Sequence, residues 1–129
     1  TSGCVVSTSA LNDSTALSWV VSLDSPVGAC NADPGDAAPR IVQKKSAREG
    51  SANVRVTTDL APTVTFNGLG RMTGTGVRRL DFKSASGVCV HVDDVNGTMR
   101  CLAIMVTTGG AVKMCDPKVG DTTDARHCS

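Results

Sequence analysis

Six widely spaced cysteines constrain this 129-residue chain more than any other feature. None of them belongs to a C-x-x-C pair, which argues against a zinc ribbon or a thioredoxin-like redox site. An even number of separated cysteines favours three disulfides and an oxidising compartment. Six buried free thiols are the less favoured alternative. We therefore expect disulfides among Cys4, Cys30, Cys89, Cys101, Cys115 and Cys128.

The core must be largely aliphatic, because the chain has one Trp, two Phe and no Tyr. Such a core buries less area per side chain, so disulfides become more useful. The length suits a single domain over residues 1–129. No stretch approaches the ~20 apolar residues of a membrane span. The sequence starts at Thr1 without a signal peptide, so we expect an export or membrane segment to have been removed upstream.

Residues 87–115 contain the strongest strand signals. Two β-branched runs flank Asn96-Gly97, a pair typical of hairpin turns. A second break at Gly109-Gly110 leads into a third run over 111–115. These signals predict a three-stranded antiparallel meander at the centre of the fold.

Other short segments also indicate strands, and no segment shows a sustained helical period. Val54 and Val56 are predicted to face inward, and Trp19 is the one large anchor of its strand. Leu80 and Phe82 are predicted to face inward, with Arg79 and Asp81 outward. Residues 25–39 are rich in Pro and Gly and predict a loop. The predicted strands are 4–7, 16–23, 40–45, 53–58, 63–66 and 77–82, which make the chain mostly β.

Proximity in sequence favours the pairs Cys4–Cys30, Cys89–Cys101 and Cys115–Cys128. The last of these would hold a tail, 118–129, that has almost no apolar residues. The middle pair conflicts with a two-residue turn at 96–97, which would point the two sulfurs to opposite faces. A direct bridge needs a longer loop over 93–97 with Gly97 in the left-handed conformation. Both geometries stay open, and the bridge is favoured.

No catalytic or phosphate-binding motif is present. His91 lies in a predicted strand and His127 in the tail, and solvent-facing roles are favoured over catalysis for both. Asp93-Asp94 lacks a spaced third ligand for calcium, so a solvated loop is favoured. We expect no enzyme activity, no cofactor and no metal.

Positive charge clusters locally although the net charge is only +1. Such clusters are candidate DNA-binding sites. No aromatic residues are interspersed among them, so no side chain is available to stack on a DNA base. A solvated surface is therefore favoured. The candidate DNA-binding residues are Lys44, Lys45, Arg48, Arg71, Arg78, Arg79 and Lys113.

Three motifs resemble those of one known family. Residues 64–71 (VTFNGLGR) end a strand in Phe and continue as Asn-Gly-x-Gly-Arg, residues 100–102 read Arg-Cys-Leu, and residues 109–117 read GGAVKMCDP. In this order and spacing they resemble the minor type IV pilins of the FimT/FimU kind, which share the GspH pseudopilin fold. The resemblance covers residues 40–128.

The resemblance implies two stacked antiparallel β-sheets carried on an N-terminal pilin helix that is missing from this chain. It implies a non-catalytic subunit that joins other minor pilins and the major pilin. The protein would reside in the inner membrane and periplasm before assembly, anchored by that helix, and then in the extracellular pilus. The FimU-like role is to prime pilus assembly within the tip complex.

The alternative within the family is a FimT-like pilin that binds DNA for natural transformation. That role uses arginines of a Gly-Arg-x-Arg motif, but this chain has Gly110 or Ala111 at the first position and Lys113 at the second. A lysine lacks the bidentate phosphate contacts of arginine. The resemblance therefore favours the FimU-like role. An unrelated secreted β-domain, such as an adhesin or inhibitor, is the remaining alternative.

Overall fold

Seven β-strands form two antiparallel sheets in the computed structural model of the chain. The structure describes residues 14–15, 18–46, 49, 53–58, 63–74, 78–90 and 96–128. The large sheet has the order β1-β4-β5-β6-β7, with β1 at Ser14–Thr15, β4 at Val54–Thr58, β5 at Arg78–Ser84, β6 at Leu102–Val106 and β7 at Val112–Cys115. The small sheet pairs β2, Trp19–Ser22, with β3, Ile41–Lys45. Within these ranges there is no α-helix, and none of the residues forms a helix long and apolar enough to cross a membrane.

The prediction of a mostly β chain is confirmed. Strands lie within or across the predicted segments 16–23, 40–45, 53–58, 77–82 and 111–115. The predicted loop over 25–39 contains no strand. The predicted strand at 4–7 lies outside the described residues.

The predicted strand at 63–66 is wrong. Phe66 makes an isolated antiparallel bridge with Met72, and the N–H of Thr73 donates to Thr65 O at 2.8 Å, so these residues join neither of the two sheets. Between them the chain turns at Asn67, whose Oδ1 accepts hydrogen bonds from the N–H groups of Leu69 and Arg71 at 2.9 and 3.1 Å. The alternating pattern of 63–66 therefore leads into a tight side-chain-capped turn rather than into a sheet.

Among the described residues 87–90, the first strand of the predicted meander does not form, whereas the hairpin of β6 and β7 is confirmed. His91 and Asp93-Asp94 lie outside the described residues. Cys89 makes only an isolated parallel bridge with Met99, and Val90 N–H donates to Met99 O at 2.8 Å. Gly97 does not take the left-handed conformation that a direct bridge was expected to need. Instead, a Cβ on Gly97 would lie 2.4 Å from the backbone of Cys89, so close backbone packing replaces the antiparallel ladder.

Two of the three predicted disulfides are present. Cys89 is bonded to Cys101 with a Cα–Cα distance of 5.4 Å, and Cys115 to Cys128 with a distance of 5.1 Å. Cys30 is also disulfide-bonded. Its predicted partner, Cys4, lies outside the described residues.

The two faces of the large sheet differ in character, because paired residues of antiparallel strands share a face. One face, which we name the aliphatic face, contains the rows Val56–Phe82–Leu102, Leu80–Ile104–Met114 and Val106–Val112. The inward orientation predicted for Leu80 and Phe82 places them on this face with Val56, which is buried. Leu80 and Phe82 themselves are partly buried.

The opposite face, the tail face, is covered beside β6 and β7 by the C-terminal residues 116–128. Ala103, Met105 and Cys115 form a buried cluster on this face, and Cys128 packs against it. Arg79 and Asp81 lie on the same face and are half-buried, not fully outward as predicted. The disulfide at Cys115 thus determines which face the tail protects.

Candidate functional site

Asp116 anchors the tail to the sheet. Its buried carboxylate accepts hydrogen bonds from the Arg100 side chain and from the N–H of Lys118 at 2.9 Å. Its own N–H donates to the carbonyl of Arg126 at 2.8 Å. Burial alone would raise the pKa of Asp116, but the hydrogen bonds from Lys118 and Arg100, with the charges of Arg100 and Arg126, lower the pKa below 3.8. The site is therefore a structural clamp for the tail.

We expect Asp116→Asn to lower the free energy of unfolding by about 2 kcal/mol at neutral pH, because a buried hydrogen-bonded charge is lost. The pKa of Asp116 is lower in the folded than in the unfolded state, so its ionisation stabilises the fold above the unfolded pKa near 3.8. That contribution is lost as pH falls through the folded pKa. Urea unfolding at pH 7 and pH 3 measures this contribution to the free energy of unfolding.

The difference between wild type and Asp116→Asn should be smaller at pH 3 than at pH 7. Lys118→Ala is the matched control, since it keeps the backbone N–H that bonds Asp116. A constant difference at both pH values would show that the carboxylate's charge is not what stabilises the tail.

Within the tail, two further carboxylates close local turns. Asp121 accepts hydrogen bonds from the N–H and hydroxyl of Thr123 at 2.9 and 2.7 Å. Asp124 accepts from the side chain and N–H of Arg126, and these bonds lower the pKa of Asp124 to about 2. The predicted role of Cys128 in tying this segment back is confirmed. A tail with few apolar residues is thus ordered by carboxylate turns and one disulfide.

Two of the family-like motifs meet in space. Gly70, in the turn after Phe66, lies against Gly110, in the turn between β6 and β7. Gly110 has φ of 89°, and a Cβ added to it would lie 1.9 Å from the Gly70 carbonyl oxygen. Thr107 accepts from Gly110 N–H and donates to Ala111 O, which is a turn ending in a glycine bulge. The two glycine-rich motifs therefore form one backbone contact.

The described candidate DNA-binding residues lie on several different elements. Lys44 lies on the small sheet, where its Nζ donates to Asn31 O at 2.8 Å and pairs with Asp33 at 3.1 Å. Lys45 follows it on β3, and Arg48 lies outside the described residues. Arg71 is exposed on the turn beside Gly110.

The cations of the large sheet are also divided. Arg78 and Arg79 are adjacent on β5 and therefore point to opposite faces. Arg79 donates to both carboxylate oxygens of Asp81 at 2.7–3.0 Å. Lys113 shares a row with Arg79 across Met105, and its Nζ donates to the carbonyl of His127 at 3.1 Å. Only Arg79 and Lys113 of the predicted set are brought to one face in one row.

A shallow cleft lies on the tail face between the Arg79–Asp81 pair and Pro117. It has a volume of about 150 Å³, and the Cys89–Cys101 disulfide forms part of its wall. Ligand pockets for small molecules are typically several times larger, about 300–1,000 Å³. In the part of the chain that the structure describes, no three His, Cys, Asp or Glu side chains are grouped to hold a metal ion.

A stripe of exposed apolar side chains on the small sheet is the surface that sequence reasoning missed. Trp19, Val21 and Leu23, which we name the Trp19 stripe, alternate along β2 and its end and are 38, 50 and 68% exposed. Trp19 was predicted as the one large anchor of its strand. The available signal was the apolar run at 19–21, where both faces of the strand are apolar.

Comparison of the chain with protein-family models, curated proteins and solved structures gave no match.

Proposed function

We propose that this chain is the globular part of a minor type IV pilin with a FimU-like role. It acts without catalysis, by fitting other minor pilins and the major pilin in the complex that primes assembly and sits at the pilus tip. The two sheets would stack as in the GspH-like fold, on an N-terminal helix that precedes residue 1. Before assembly the subunit would reside in the inner membrane with its domain in the periplasm.

The Trp19 stripe is the observation that carries the proposal. Apolar patches on a soluble domain commonly mark docking surfaces, and tryptophan is enriched among the residues that dominate binding energy. Here Trp19 and Val21 are exposed at alternate positions of β2, and Leu23, just after the strand, is exposed as well. Because β-strands hold side chains in fixed directions, the stripe is a preorganised surface suited to a neighbouring subunit.

Two further features support it. The motifs at 67–71 and 109–110 that carry the pilin resemblance are in contact through Gly70 and Gly110. Disulfides at Cys89–Cys101 and Cys115–Cys128 suit the oxidising periplasm and cell exterior that a pilus subunit occupies.

We expect Trp19→Ala to weaken binding to the other minor pilins by at least tenfold, because truncation of a central Trp commonly costs 2 kcal/mol or more, about thirtyfold. The measurement is a titration of purified minor-pilin globular domains by isothermal calorimetry, with pulldown as a second readout. Because Trp19 is 38% exposed and otherwise covered, circular dichroism must show that the variant is folded before its binding is compared.

Leu69→Ala is the matched control, since Leu69 is 86% exposed on the turn after Phe66 and is not part of β2. It should bind like the wild type. Absence of binding by the wild-type chain at micromolar concentrations would count against the pilin role. Equal binding by wild type and Trp19→Ala would remove the stripe as the docking surface.

The DNA-binding alternative is favoured by one observation. Arg71 lies beside Gly110, so a cation borders the turn where the DNA-binding relatives carry their arginines. A gel-shift titration at two salt concentrations distinguishes it, because phosphate contacts weaken steeply with salt. No shift at low salt would exclude this role.

A further inference from the structure

β7 is the last strand of the large sheet, so one of its sides is an edge. The N–H of Thr107 donates to Ala111 O, so Thr107 and Ala111 are a hydrogen-bonded pair of the β6–β7 hairpin. Hydrogen-bonded and non-hydrogen-bonded pairs alternate along an antiparallel pair of strands. The pair Val106–Val112 is then a non-hydrogen-bonded pair, and so is Ile104–Met114. The N–H and C=O groups of Val112 and Met114 therefore point away from β6, towards the edge.

Those four backbone groups are open to a further strand. The tail reaches this edge at Asp116, whose N–H bonds Arg126 O. Among the described residues, no backbone hydrogen bond from another segment reaches Val112 or Met114. Natural sheets usually protect such edges with Pro, a bulge, a charged side chain such as Lys or a covering loop, because an open edge is a template for pairing. β7 has no proline, its one charge is Lys113 between the two open positions, and the side chains at those two positions are apolar.

The side chains of β7 define what a partner strand must carry. Val112 and Met114 lie on the aliphatic face and are 60 and 62% exposed. Lys113 lies between them on the tail face, near the carbonyl of His127. An added strand would place its own residues on the same faces as their neighbours on β7.

We propose that the outer edge of β7 binds an extended segment of another protein by antiparallel strand addition. The segment carries an acidic residue opposite Lys113, flanked by apolar residues opposite Val112 and Met114. Main-chain hydrogen bonds to the four edge groups supply affinity, and the alternating side chains supply specificity. This inference does not depend on the proposed pilin function.

A second copy of β7 is a poorer occupant. Antiparallel pairing of β7 with itself through the Val112 and Met114 groups would put Lys113 directly opposite the Lys113 of the other copy. Like charges directly opposite each other destabilise a strand pair, whereas opposite charges stabilise it. The edge therefore selects an acidic partner over a copy of itself.

The test uses the peptide carboxyfluoresceinyl-Ser-Thr-Val-Glu-Val-Thr-Ser-amide, labelled at its N-terminus and titrated with the full chain by fluorescence anisotropy. The comparison peptide has Lys in place of Glu. We expect the Glu peptide to bind about fivefold more tightly than the Lys peptide, since the two charge pairs differ in sign. The variant Lys113→Glu should reverse the preference, so that the Lys peptide binds more tightly.

Backbone pairing is tested separately. Met114→Pro removes one outward N–H but no hydrogen bond to β6, so it should abolish peptide binding in a folded domain. Met114→Thr keeps the N–H and should retain measurable binding. A Glu peptide N-methylated on both Val residues should not bind, and this arm needs no variant of the protein.

Three outcomes would overturn the proposal. One is no binding of the Glu peptide up to about 1 mM, which corresponds to only about 4 kcal/mol. Another is equal binding of the Glu and Lys peptides by both wild type and Lys113→Glu. The third is a stable homodimer of the chain, seen by analytical ultracentrifugation, that Met114→Pro dissociates, since the occupant of the edge would then be a second copy.

Discussion

Gly110→Ala is expected to destabilise the domain by about 3 kcal/mol or more, a large part of the 5–15 kcal/mol that holds a typical domain together. Two costs add at this position. The φ of 89° is one that L side chains rarely adopt, with a cost of about 1–2 kcal/mol. The new Cβ would also lie 1.9 Å from the Gly70 carbonyl oxygen, so the two turns must separate.

Gly109→Ala is a close control for this effect. Gly109 lies in the same turn, but a Cβ there meets only Thr107 Oγ1, at the ordinary contact distance of 3.8 Å. It should change stability by less than about 1 kcal/mol. Urea denaturation followed by far-ultraviolet circular dichroism measures both variants. Equal stabilities of the two variants would mean that the turns of Gly70 and Gly110 are not packed against each other.

Replacing Cys115 and Cys128 together by serine should cost about 3 kcal/mol, from the loop closed by a disulfide with a sequence separation of 13. The loss should appear first in the tail, because residues 116–128 have few apolar side chains to hold them on the sheet. Release of the tail would also uncover Ala103 and Met105. Trypsin should then cut quickly at Lys118 and Arg126, which mass spectrometry can follow.

The double variant Cys89→Ser, Cys101→Ser is the matched control, with a sequence separation of 12. Its loss of stability should be similar by the same loop argument, but its tail should stay protected from trypsin. If the tail of the Cys115, Cys128 variant is cut no faster than that of the control, Asp116 and the tail turns hold it without the disulfide.

The features that could be predicted from sequence are those determined by local patterns. Alternation located Val56 and Phe82 on one face, and Gly109-Gly110 located the hairpin of β6 and β7. Proximity identified the pairs Cys89–Cys101 and Cys115–Cys128. These signals extend over only a few neighbouring residues, so they can be recognised in a single sequence.

The remainder depends on long-range packing. The Asn96-Gly97 pair predicts a hairpin, but Gly97 instead packs on the backbone of Cys89, and only a parallel bridge forms. Likewise Arg79 is half-buried in an ion pair with Asp81 on the face that the tail partly covers. Neither contact could be inferred from local periodicity.

The candidate site was the less predictable part. The basic residues were selected by proximity along the chain, yet β-strand alternation sends Arg78 and Arg79 to opposite faces. The Trp19 stripe was missed because Trp19 was interpreted as the one large anchor of its strand.

We propose that this disulfide-bonded β-domain is carried by a pilin helix and acts by docking to other subunits. Determining the N-terminal sequence of the full precursor tests this proposal. We expect a short basic leader ending in Gly, followed by Phe and ~20 apolar residues that form the helix. A cleaved secretory signal joined to this domain would contradict the pilin assignment and support an unrelated secreted β-domain.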